Sequence, residues 1–317
     1  MADFCHLKAS RLTDYYKNHL SSYTSWKQGK HAHTYLYFPR NIGSNISIDE
    51  TAFDNGELYT ILTNKAGRGK KGSIIAIIKG TQSDIVSKYI CQIPEHKRLE
   101  VKTITLDMAS SMYNIARVCF PKATQIIDRF HVQKLMYDAL QALRVEYRWK
   151  ALADENKAIW QAKNSNTKFS PKIFSNGDTL KQLLARSRYI LFKAPTKWNQ
   201  RQAERAKILF DNYKDIQEFY YLSLELGKIY SSSYHKSVAR VKLALWFNKV
   251  EDKESLHFRT VINTFKNHYE RILNFFESRL TNASAESFNA KLKHLRATFR
   301  GISDPKFFLF RATELFA

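Results

Sequence analysis

Residues 101–128 read VKTITLDMASSMYNIARVCFPKATQIID, and their pattern predicts the class of the fold. Val101–Leu106 is rich in β-branched residues and predicts a strand. Ser110–Phe120 predicts a helix, which Pro121 stops because proline cannot continue one. Ala123–Ile127 predicts a second strand. A strand, a helix and a strand in so short a segment indicate an α/β sheet.

Three further strands are predicted upstream, at Asn45–Asp49, Glu57–Asn64 and Ser73–Lys79. The glycine-lysine turn Lys65–Gly72 joins the last two, and the helix Gln82–Cys91 leads on to the segment quoted above. The order is therefore three strands of antiparallel type, then helix, strand, helix, strand. This is the ribonuclease-H-like arrangement, so we predict an α/β fold with a mixed five-stranded sheet and flanking helices.

The chain after the fifth strand is helical and basic up to about Arg279. Its predicted helices are Val132–Trp149, Ala151–Lys163, Leu180–Phe192, Gln200–Asp211, Asp215–Tyr230, Ser237–Lys249 and Leu256–Arg279. They predict a large all-helical insertion that interrupts the sheet domain before its last helix. The predicted divisions are an N-terminal helical segment at 1–43, with one helix over 1–30, the first part of the core at 44–131, the insertion at 132–280 and the last part of the core at 281–317.

The last part of the core begins with residues 281–296, TNASAESFNAKLKHLR. At helical spacing its apolar residues form a stripe that can lie on a sheet, namely Ala285, Phe288, Leu292, Leu295 and Phe299. The neighbouring face carries one acid, one amide and two cations, namely Glu286, Asn289, Lys293 and Arg296. A carboxylate for a metal followed by cations for a phosphodiester backbone is what a nuclease-like site requires. The alternative is an ordinary amphipathic helix with a solvated charged face.

The composition indicates a folded protein with an anionic partner. Lys and Arg number 51 against 29 Asp and Glu, a net charge of +22, which points to nucleic acid. A basic protein of unrelated function is the alternative. Cys5, Cys91 and Cys119 lie far apart in the sequence, which argues against zinc fingers and a disulfide framework. Without a long apolar run or a signal peptide, we expect a cytoplasmic protein with free thiols.

Acidic residues follow the predicted strands, where ligands gather in α/β sheets. Asp49, Asp107 and Asp128 each stand at such an end. Because Mg²⁺ prefers carboxylate oxygen, an enzyme that cuts phosphodiesters needs a few acids that converge from separate elements. Asp49, Asp107 and Glu286 meet that need as a metal-binding catalytic triad. The alternatives are that Asp49 is a strand-end turn residue and that Asp107 caps the helix after it.

Four motifs carry a resemblance to a known family: ISIDETAF, TLDMASSMYNIARVCFP, QIIDRFHVQKL and TNASAESFNAKLK. They resemble the DDE transposases of the ISL-three insertion-sequence family, in particular its shorter Bacteroidetes-type members. The resemblance implies a ribonuclease-H-like catalytic core, divalent metal, and cutting and joining of transposon ends. It makes Asp49, Asp107 and Glu286 the DDE triad, and it places Asn289 and Lys293 beside the DNA strand.

Further site residues are expected around this triad. The DRFHV stretch is similar to the D-x-x-H signature of several transposase groups, which implies that Asp128 and His131 lie near the scissile phosphate. Their alternative role is a structural hydrogen bond between strand and helix. Arg296 and the turn cations Arg68, Lys70 and Lys71 are candidate DNA ligands. For the turn, a solvated hairpin tip is the alternative.

The resemblance also has a departure. Typical family members carry an N-terminal zinc-binding and helix-turn-helix region, and this chain shows no zinc-ligand spacing before Asp49. A separate small protein is therefore a possible source of end recognition. We expect a bacterial, nucleoid-associated transposase that uses two Mg²⁺ ions, with Mn²⁺ as a substitute, and acts as a homo-oligomer on transposon ends and target DNA. The alternatives are a ribonuclease-H-like nuclease or resolvase that does not join DNA, and a non-catalytic DNA-binding descendant.

Overall fold

The computed structural model describes residues 8–52, 56–281, 283–299 and 304–317. Contacts divide the chain into two compact units, Met1–Asp128 with Leu280–Ala317 and Arg129–Arg279. The first unit contains the sheet, and the second is helical. The N-terminal segment predicted at 1–43 belongs, where it is described, to the first unit.

The first unit is built on a mixed sheet of six strands in the order β1-β4-β3-β2-β5-β6. The strands are β1 (Tyr35–Tyr37), β2 (Asn45–Ala52), β3 (Leu58–Asn64), β4 (Ile74–Lys79), β5 (Thr103–Leu106) and β6 (Thr124–Ile127). The α/β class and the mixed sheet are confirmed, and the sheet has one strand more than predicted. The additional strand, β1, pairs antiparallel with β4. Three residues are too few to show a period in the sequence, so this strand was missed.

Strand β2 joins the antiparallel and parallel halves of the sheet. It pairs antiparallel with β3 as far as Ala52, but its parallel pairing with β5 ends at Ser47. Strand β5 pairs parallel with β6. The prediction that β2 ends at Asp49 was therefore wrong: Asp49 lies within the strand, on the part that β5 no longer accompanies. Its partner across the antiparallel ladder is Ile61.

Helices cover both faces of the sheet. Helices α2 (Ser83–Ile90) and α4 (Ser110–Cys119) contact each other and strands β4 and β5, and the short helix α3 (Glu95–Leu99) lies between them in the chain. Helices α12 (Ala283–Thr298) and α13 (Pro305–Phe316) contribute Phe288, Leu292 and Phe308 to a cluster with Ile61. Ile48, which alternates with Asp49 along β2, is fully buried, so neither face of the central sheet is open to solvent.

The apolar stripe predicted on the helix of Glu286 is confirmed. Ala285, Phe288 and Leu292 are buried, and Leu295 and Phe299 pack partly buried against the same core. The stripe lies on α12, and its cluster includes residues of strands β3 and β4. Burial of this stripe fixes the rotation of α12 about its axis, and it thereby also fixes the direction of the polar side.

The chain before β1 is less regular than predicted. Helix α1 (Ala9–Tyr15) continues as one π-helical turn, Tyr16–Leu20, and then stops. The Ser21 hydroxyl donates to the Lys17 carbonyl and accepts from the Tyr23 amide, which ends the helix. A single helix over residues 1–30 is therefore wrong for the part after Leu20, and residues 1–7 lie outside the described residues.

Two cysteines that are remote in sequence meet between α2 and α4. The Sγ atoms of Cys91 and Cys119 are 3.7 Å apart, and both residues are free thiols. Cys91 is exposed, whereas Cys119 is buried. Burial raises the pKa of the Cys119 thiol to about 12. The two thiols therefore differ in reactivity although they are neighbours.

The second unit is a helical assembly with its own core. Its helices are α5 (Arg129–Asn164), α6 (Leu180–Arg186), α7 (Gln200–Asn212), α8 (Lys214–Ser232), α9 (Lys236–Glu251), α10 (Arg259–Leu273) and α11 (Phe275–Ser278), with short 3₁₀ turns at Ile190–Phe192, Pro195–Lys197 and Leu256–Phe258. Two helices predicted on either side of Lys150 are one continuous helix, because no breaker separates them. Trp246 is fully buried and donates from Nε1 to the Leu222 carbonyl. Among the described helices none combines the length and apolar character that a bilayer span requires.

Candidate active site

The strand register brings three aspartates into one row. Ser47 of β2 pairs with Thr105 of β5, and Asp49 and Asp107 each follow these paired residues by two positions. Leu106 of β5 pairs with Ile127 of β6, and the next step sets Asp107 beside Asp128. Because neighbours in a parallel register point to the same face, Asp49, Asp107 and Asp128 are directed to one face near the carboxyl ends of the parallel strands, and we call these three residues the acidic row.

Helix α12 is joined to this acidic row by a side-chain contact. The Asn289 Nδ2 atom donates to Asp49 Oδ2 at 2.7 Å, and Asp49 Oδ1 accepts from the Glu50 amide at 2.9 Å. Glu286 precedes Asn289 by three residues, about 4.5 Å along the axis, on the same side of the helix. Glu286 is exposed. The contact between Asn289 and Asp49 therefore joins α12, the helix that carries Glu286, to Asp49 of the row.

Asp107 and Asp128 are held by their own strands and turns. Asp107 Oδ1 accepts from the Ala109 amide at 2.9 Å. Ala109 is the N-cap of α4 and has no side-chain cap, so Asp107 shapes the turn between β5 and α4 without bonding the amides of the first helical turn. Asp128 is 2% exposed, and its amide donates to the Leu106 carbonyl. Both carboxyl groups are thus placed by backbone geometry next to the parallel strands.

The chemistry of the donor set fits a hard divalent cation. Asp49, Asp107 and Glu286 offer only carboxylate oxygens, the donors that Mg²⁺ prefers. Within residues 8–52, 56–281, 283–299 and 304–317, no group of three or more His, Cys, Asp or Glu is gathered closely enough to ligate an ion. Burial raises the pKa of the Glu50 carboxyl, and the nearby Asp107 and Asp49 raise it further. Negative charge is therefore concentrated here, and a cation would relieve it.

The glycine-lysine turn, Lys65–Gly72, is held against α12 by a hydrogen bond. Lys291 donates from Nζ to the Gly69 carbonyl at 2.6 Å, and the Ser73 amide donates to the Phe316 carbonyl at 2.8 Å. Gly69 has a φ of +67°, which a side chain would strain, and a Cβ there would meet Lys291. The backbone of the turn is thus fixed, and its three outer cations, Arg68, Lys70 and Lys71, are exposed. Lys293 of α12 is also exposed, and Arg296 is half-buried.

One comparison with known proteins decides the family. A family model for DDE transposases of the ISL-three group, described as "Transposase", matches residues 46–312. The chain belongs to this family. The match includes Asp49, Asp107 and Glu286, and it spans the helical second unit. No curated protein matches the chain.

Family membership makes the chain a transposase that acts on DNA, and it adds to the physical case for a cation. Transposases of the DDE type generally use divalent metals. In this transposase Asp49, Asp107 and Glu286 offer the carboxylate oxygens that such an ion prefers. The net charge of +22 fits the DNA partner.

Lys65 of this transposase contacts the sheet near the acidic row, and the sequence analysis did not identify it as a site residue. Lys65, the first residue after β3, donates from Nζ to Thr105 Oγ1 and, at 2.9 Å, to the Thr281 carbonyl. Burial lowers the pKa of Lys65 to about 8, although Asp128 acts in the opposite direction. The only sequence signal was its place at the end of a buried strand, ahead of the exposed cations of the turn.

His131 of the transposase lies in the second unit. It is the third residue of α5 and half-buried, with its ring 5.8 Å from that of Phe130 in an edge-on arrangement. Asp128 ends the first stretch of the sheet unit, directly before this helix. The role of His131 at a scissile phosphate stays a prediction.

Proposed function

We propose that this transposase cuts DNA at the ends of its element and joins the freed ends to target DNA, with Asp49, Asp107 and Glu286 as its catalytic carboxylates. One observation carries the proposal most directly. Ser47 and Thr105, which precede Asp49 and Asp107 by two residues each, are paired on parallel strands, and Asn289 on the Glu286 helix donates to Asp49. These contacts support a site to which acids from three remote parts of the chain contribute.

The three carboxylates would hold two Mg²⁺ ions, with Mn²⁺ as a substitute. When bound, such ions activate the attacking oxygen and stabilise the leaving oxygen of a phosphodiester. The chain's own hydrogen bonds prepare the ligands for this role. Asn289 orients one oxygen of Asp49, and the Ala109 amide orients one oxygen of Asp107. Ligands that are oriented in advance lose little freedom when a cation binds.

The cationic residues around the row would hold the DNA backbone. Lys293 and Arg296 follow Glu286 along α12, and the turn carries Arg68, Lys70 and Lys71. Contacts from these side chains to phosphate oxygens would set the register of the DNA without reading its sequence. Asp128 and His131 are assigned an accessory role, in which the imidazole orients the phosphate or moves a proton.

The proposed reaction has two displacements at phosphorus. Water attacks the phosphodiester at the element end, the P–O bond to the 3′-oxygen breaks, and a 3′-hydroxyl is released. That hydroxyl then attacks a phosphodiester of the target, and the target strand's own 3′-oxygen leaves. The number of phosphodiester bonds is unchanged in the second step, so it needs no external energy source and no covalent enzyme intermediate. Joining two ends leads us to expect a homo-oligomer, with a separate protein as a possible source of end recognition.

The test is cleavage and joining of labelled duplexes taken from the two flanks of the element. In Mg²⁺ the wild-type chain should nick the duplex at the element boundary, and Asp107→Asn should abolish the nick because one ligand becomes neutral. Asp84→Asn, an exposed acid in α2, is the matched control and should cut like the wild type. Equal cutting by the wild type and Asp107→Asn would contradict the proposed catalytic role of the carboxylates.

The products separate the transposase from its enzymatic alternative. A plasmid target in the same reaction should acquire the labelled strand through a new phosphodiester bond. Nicks without joined products would instead identify a nuclease or resolvase. Isothermal calorimetry with Mg²⁺ distinguishes the third alternative, because a purely DNA-binding descendant should show no magnesium site.

A further inference from the structure

We propose that Lys65 is a positioning residue that holds the start of helix α12, and with it Glu286, at the acidic row. The inference rests on the proposed function only for the role of Glu286. The contacts of Lys65 themselves stand independently of any activity.

A single ammonium group connects three separate segments of the first unit. Lys65 begins the turn after β3, Thr105 lies in β5, and Thr281 lies just before α12. The Nζ atom donates to the Thr105 hydroxyl and to the Thr281 carbonyl, the latter at 2.9 Å. Lys65 therefore ties the point where the chain returns to the first unit to strand β5.

The position of Thr105 makes this connection relevant to the site. Thr105 precedes Asp107 by two residues, so both side chains leave β5 on the same face. Thr105 also pairs with Ser47, which precedes Asp49 by two residues. Lys65 thus binds the sheet one row below the acidic row, about 6.6 Å away along the strands.

Thr281 lies on the N-terminal side of Glu286, and other contacts hold the helix on the C-terminal side. Farther along α12, Asn289 contacts Asp49 and Lys291 contacts the Gly69 carbonyl. Both contacts follow Glu286 in the sequence, whereas Thr281 precedes it. Glu286 therefore lies between attachments to the sheet on both sides, and the Lys65 contact is an attachment on its N-terminal side.

A contribution to stability alone does not explain why a lysine stands at position 65. Burying an ammonium is costly, and burial lowers the pKa of Lys65 to about 8. Replacing a buried ionic group by an apolar side chain of similar length is often neutral or stabilising. The cost is better explained by what the ammonium does locally, which is to donate two hydrogen bonds that a methionine cannot supply.

The first test is amide hydrogen exchange, followed by mass spectrometry on the full chain. In Lys65→Met, peptides that cover residues 283–290 should exchange roughly tenfold faster, because charge-assisted hydrogen bonds are among the stronger single contacts. Strands β3 and β4 should be unaffected. The exposed Lys122→Met is the matched control and should exchange like the wild type. Unchanged exchange in 283–290, or an equal increase throughout the first unit, would overturn the proposal.

A second pair of variants keeps the proposal testable if Lys65→Met does not fold. Thr105→Val removes the hydroxyl and preserves the shape of the side chain, so it should accelerate exchange in 283–290 as Lys65→Met does. Thr105→Ser retains the hydroxyl and should restore wild-type exchange. Identical behaviour of the valine and serine variants would contradict the role of the Lys65 contact.

Kinetics on the labelled element end then test positioning. If Lys65 places Glu286, Lys65→Met should lower kcat about tenfold and leave KM for the duplex unchanged, because an interaction that matters only to the reacting geometry lowers kcat alone. A change confined to KM would contradict a positioning role. The two proposals fail separately: faster exchange without any wild-type cleavage refutes the proposed function, and wild-type cleavage with unchanged exchange in 283–290 refutes the role of Lys65.

Discussion

At the scale of single residues, the site depends on a few hydrogen bonds across long sequence separations. Asn289 and Asp49 are 240 residues apart, and Lys65 and Thr281 are 216 apart. Each pair connects α12 or the residues before it with the sheet. Because one charged or amide donor serves each connection, single substitutions at these positions should change the site without changing the fold.

Asn289→Ala should lower the rate of DNA cleavage by roughly ten- to a hundredfold, since a hydrogen bond to a charged group contributes about 1.5–3 kcal/mol. The physical reason is that the Asp49 carboxylate loses the donor that fixes its orientation. Single-turnover cleavage of a labelled element end is the measurement. Thr298→Ala, near the exposed end of the same helix, is the control and should retain full activity.

Lys65 should make the free energy of unfolding depend on pH above neutrality. Its pKa is lowered by burial to about 8 in the folded protein, against an ordinary value of 10.5. Between these values the unfolded chain binds more protons, so the stability of the wild type should rise with pH. The burial cost is present in full below pH 8 and is relieved as the pH rises toward 10.5. Lys65→Met lacks this group, so the wild-type stability relative to the variant should increase between pH 7 and 9.5 in urea titrations. A constant difference would contradict a buried ammonium.

At the scale of elements, the two units are stabilised by different means. The sheet unit contains the apolar stripe of α12 and the Lys65 contacts, and the second unit contains an ionic cluster around Asp178. Asp178 is fully buried and accepts from Arg186 and from Arg205, whose Nε atom lies 2.6 Å from Asp178 Oδ2. Burial alone would raise the pKa of Asp178, but the hydrogen bonds from Arg205 and Arg186 outweigh it and lower the pKa.

Asp178→Ala should destabilise the second unit by about 2–3 kcal/mol, because it leaves two guanidinium groups without their shared carboxylate. The partial exposure of Arg186 keeps the loss below that of a fully buried pair. Urea unfolding of the full chain, followed by tryptophan fluorescence, is the measurement. Asp211→Ala, an exposed acid in α7, should change stability little. Since the pKa of Asp178 is lowered, its contribution should be lost only as the pH falls below the ordinary carboxyl range.

Iodoacetamide should distinguish the two neighbouring thiols of α2 and α4. Cys91 is exposed and should be alkylated in the folded protein, whereas Cys119 should react only after denaturation, because burial raises its pKa to about 12 and hides it from the reagent. Peptide mass spectrometry in a Cys5→Ser background is the measurement. Rapid labelling of both cysteines without denaturant would show that this helix pair opens readily.

At the scale of the whole molecule, the net positive charge governs the attraction to DNA. A net charge of +22 on 317 residues gives long-range attraction to DNA, which is steered by all cations and not only by those near the row. The exposed turn residues Arg68, Lys70 and Lys71 are a local part of that field. The fixed backbone of the turn distinguishes them from the many other surface lysines.

DNA binding should weaken steeply with salt, and the turn should contribute a measurable part. Replacing Arg68, Lys70 and Lys71 together by glutamine should reduce the slope of log affinity against log salt by roughly 2–3, because each phosphate contact contributes about 0.9. Fluorescence anisotropy of a labelled duplex over a salt series is the measurement. Lys122→Gln combined with Lys102→Gln is the control for general charge. An equal loss of slope in control and turn variants, per charge removed, would exclude specific phosphate contacts by the turn.

The sequence by itself determined the elements and their chemistry. The strand-helix-strand order of residues 101–128, the apolar stripe on α12 and the excess of cations are local patterns, and period and composition express them directly. The same patterns indicated acids at the ends of parallel strands. They could not show the three-residue β1, the continuation of β2 beyond Asp49, or the end of the first helix at Leu20.

Only the tertiary structure decided which remote residues meet. The row of Asp49, Asp107 and Asp128 depends on strand register, and the contacts of Asn289 and Lys65 depend on how α12 packs on the sheet. The proximity of Cys91 to Cys119 likewise depends on two helices that touch. A local sequence pattern specifies the direction in which a side chain leaves its own element. Which partner it finds is set by the packing of elements far apart in the chain, and that is why the sequence could suggest the residue types of a candidate site but not its contacts.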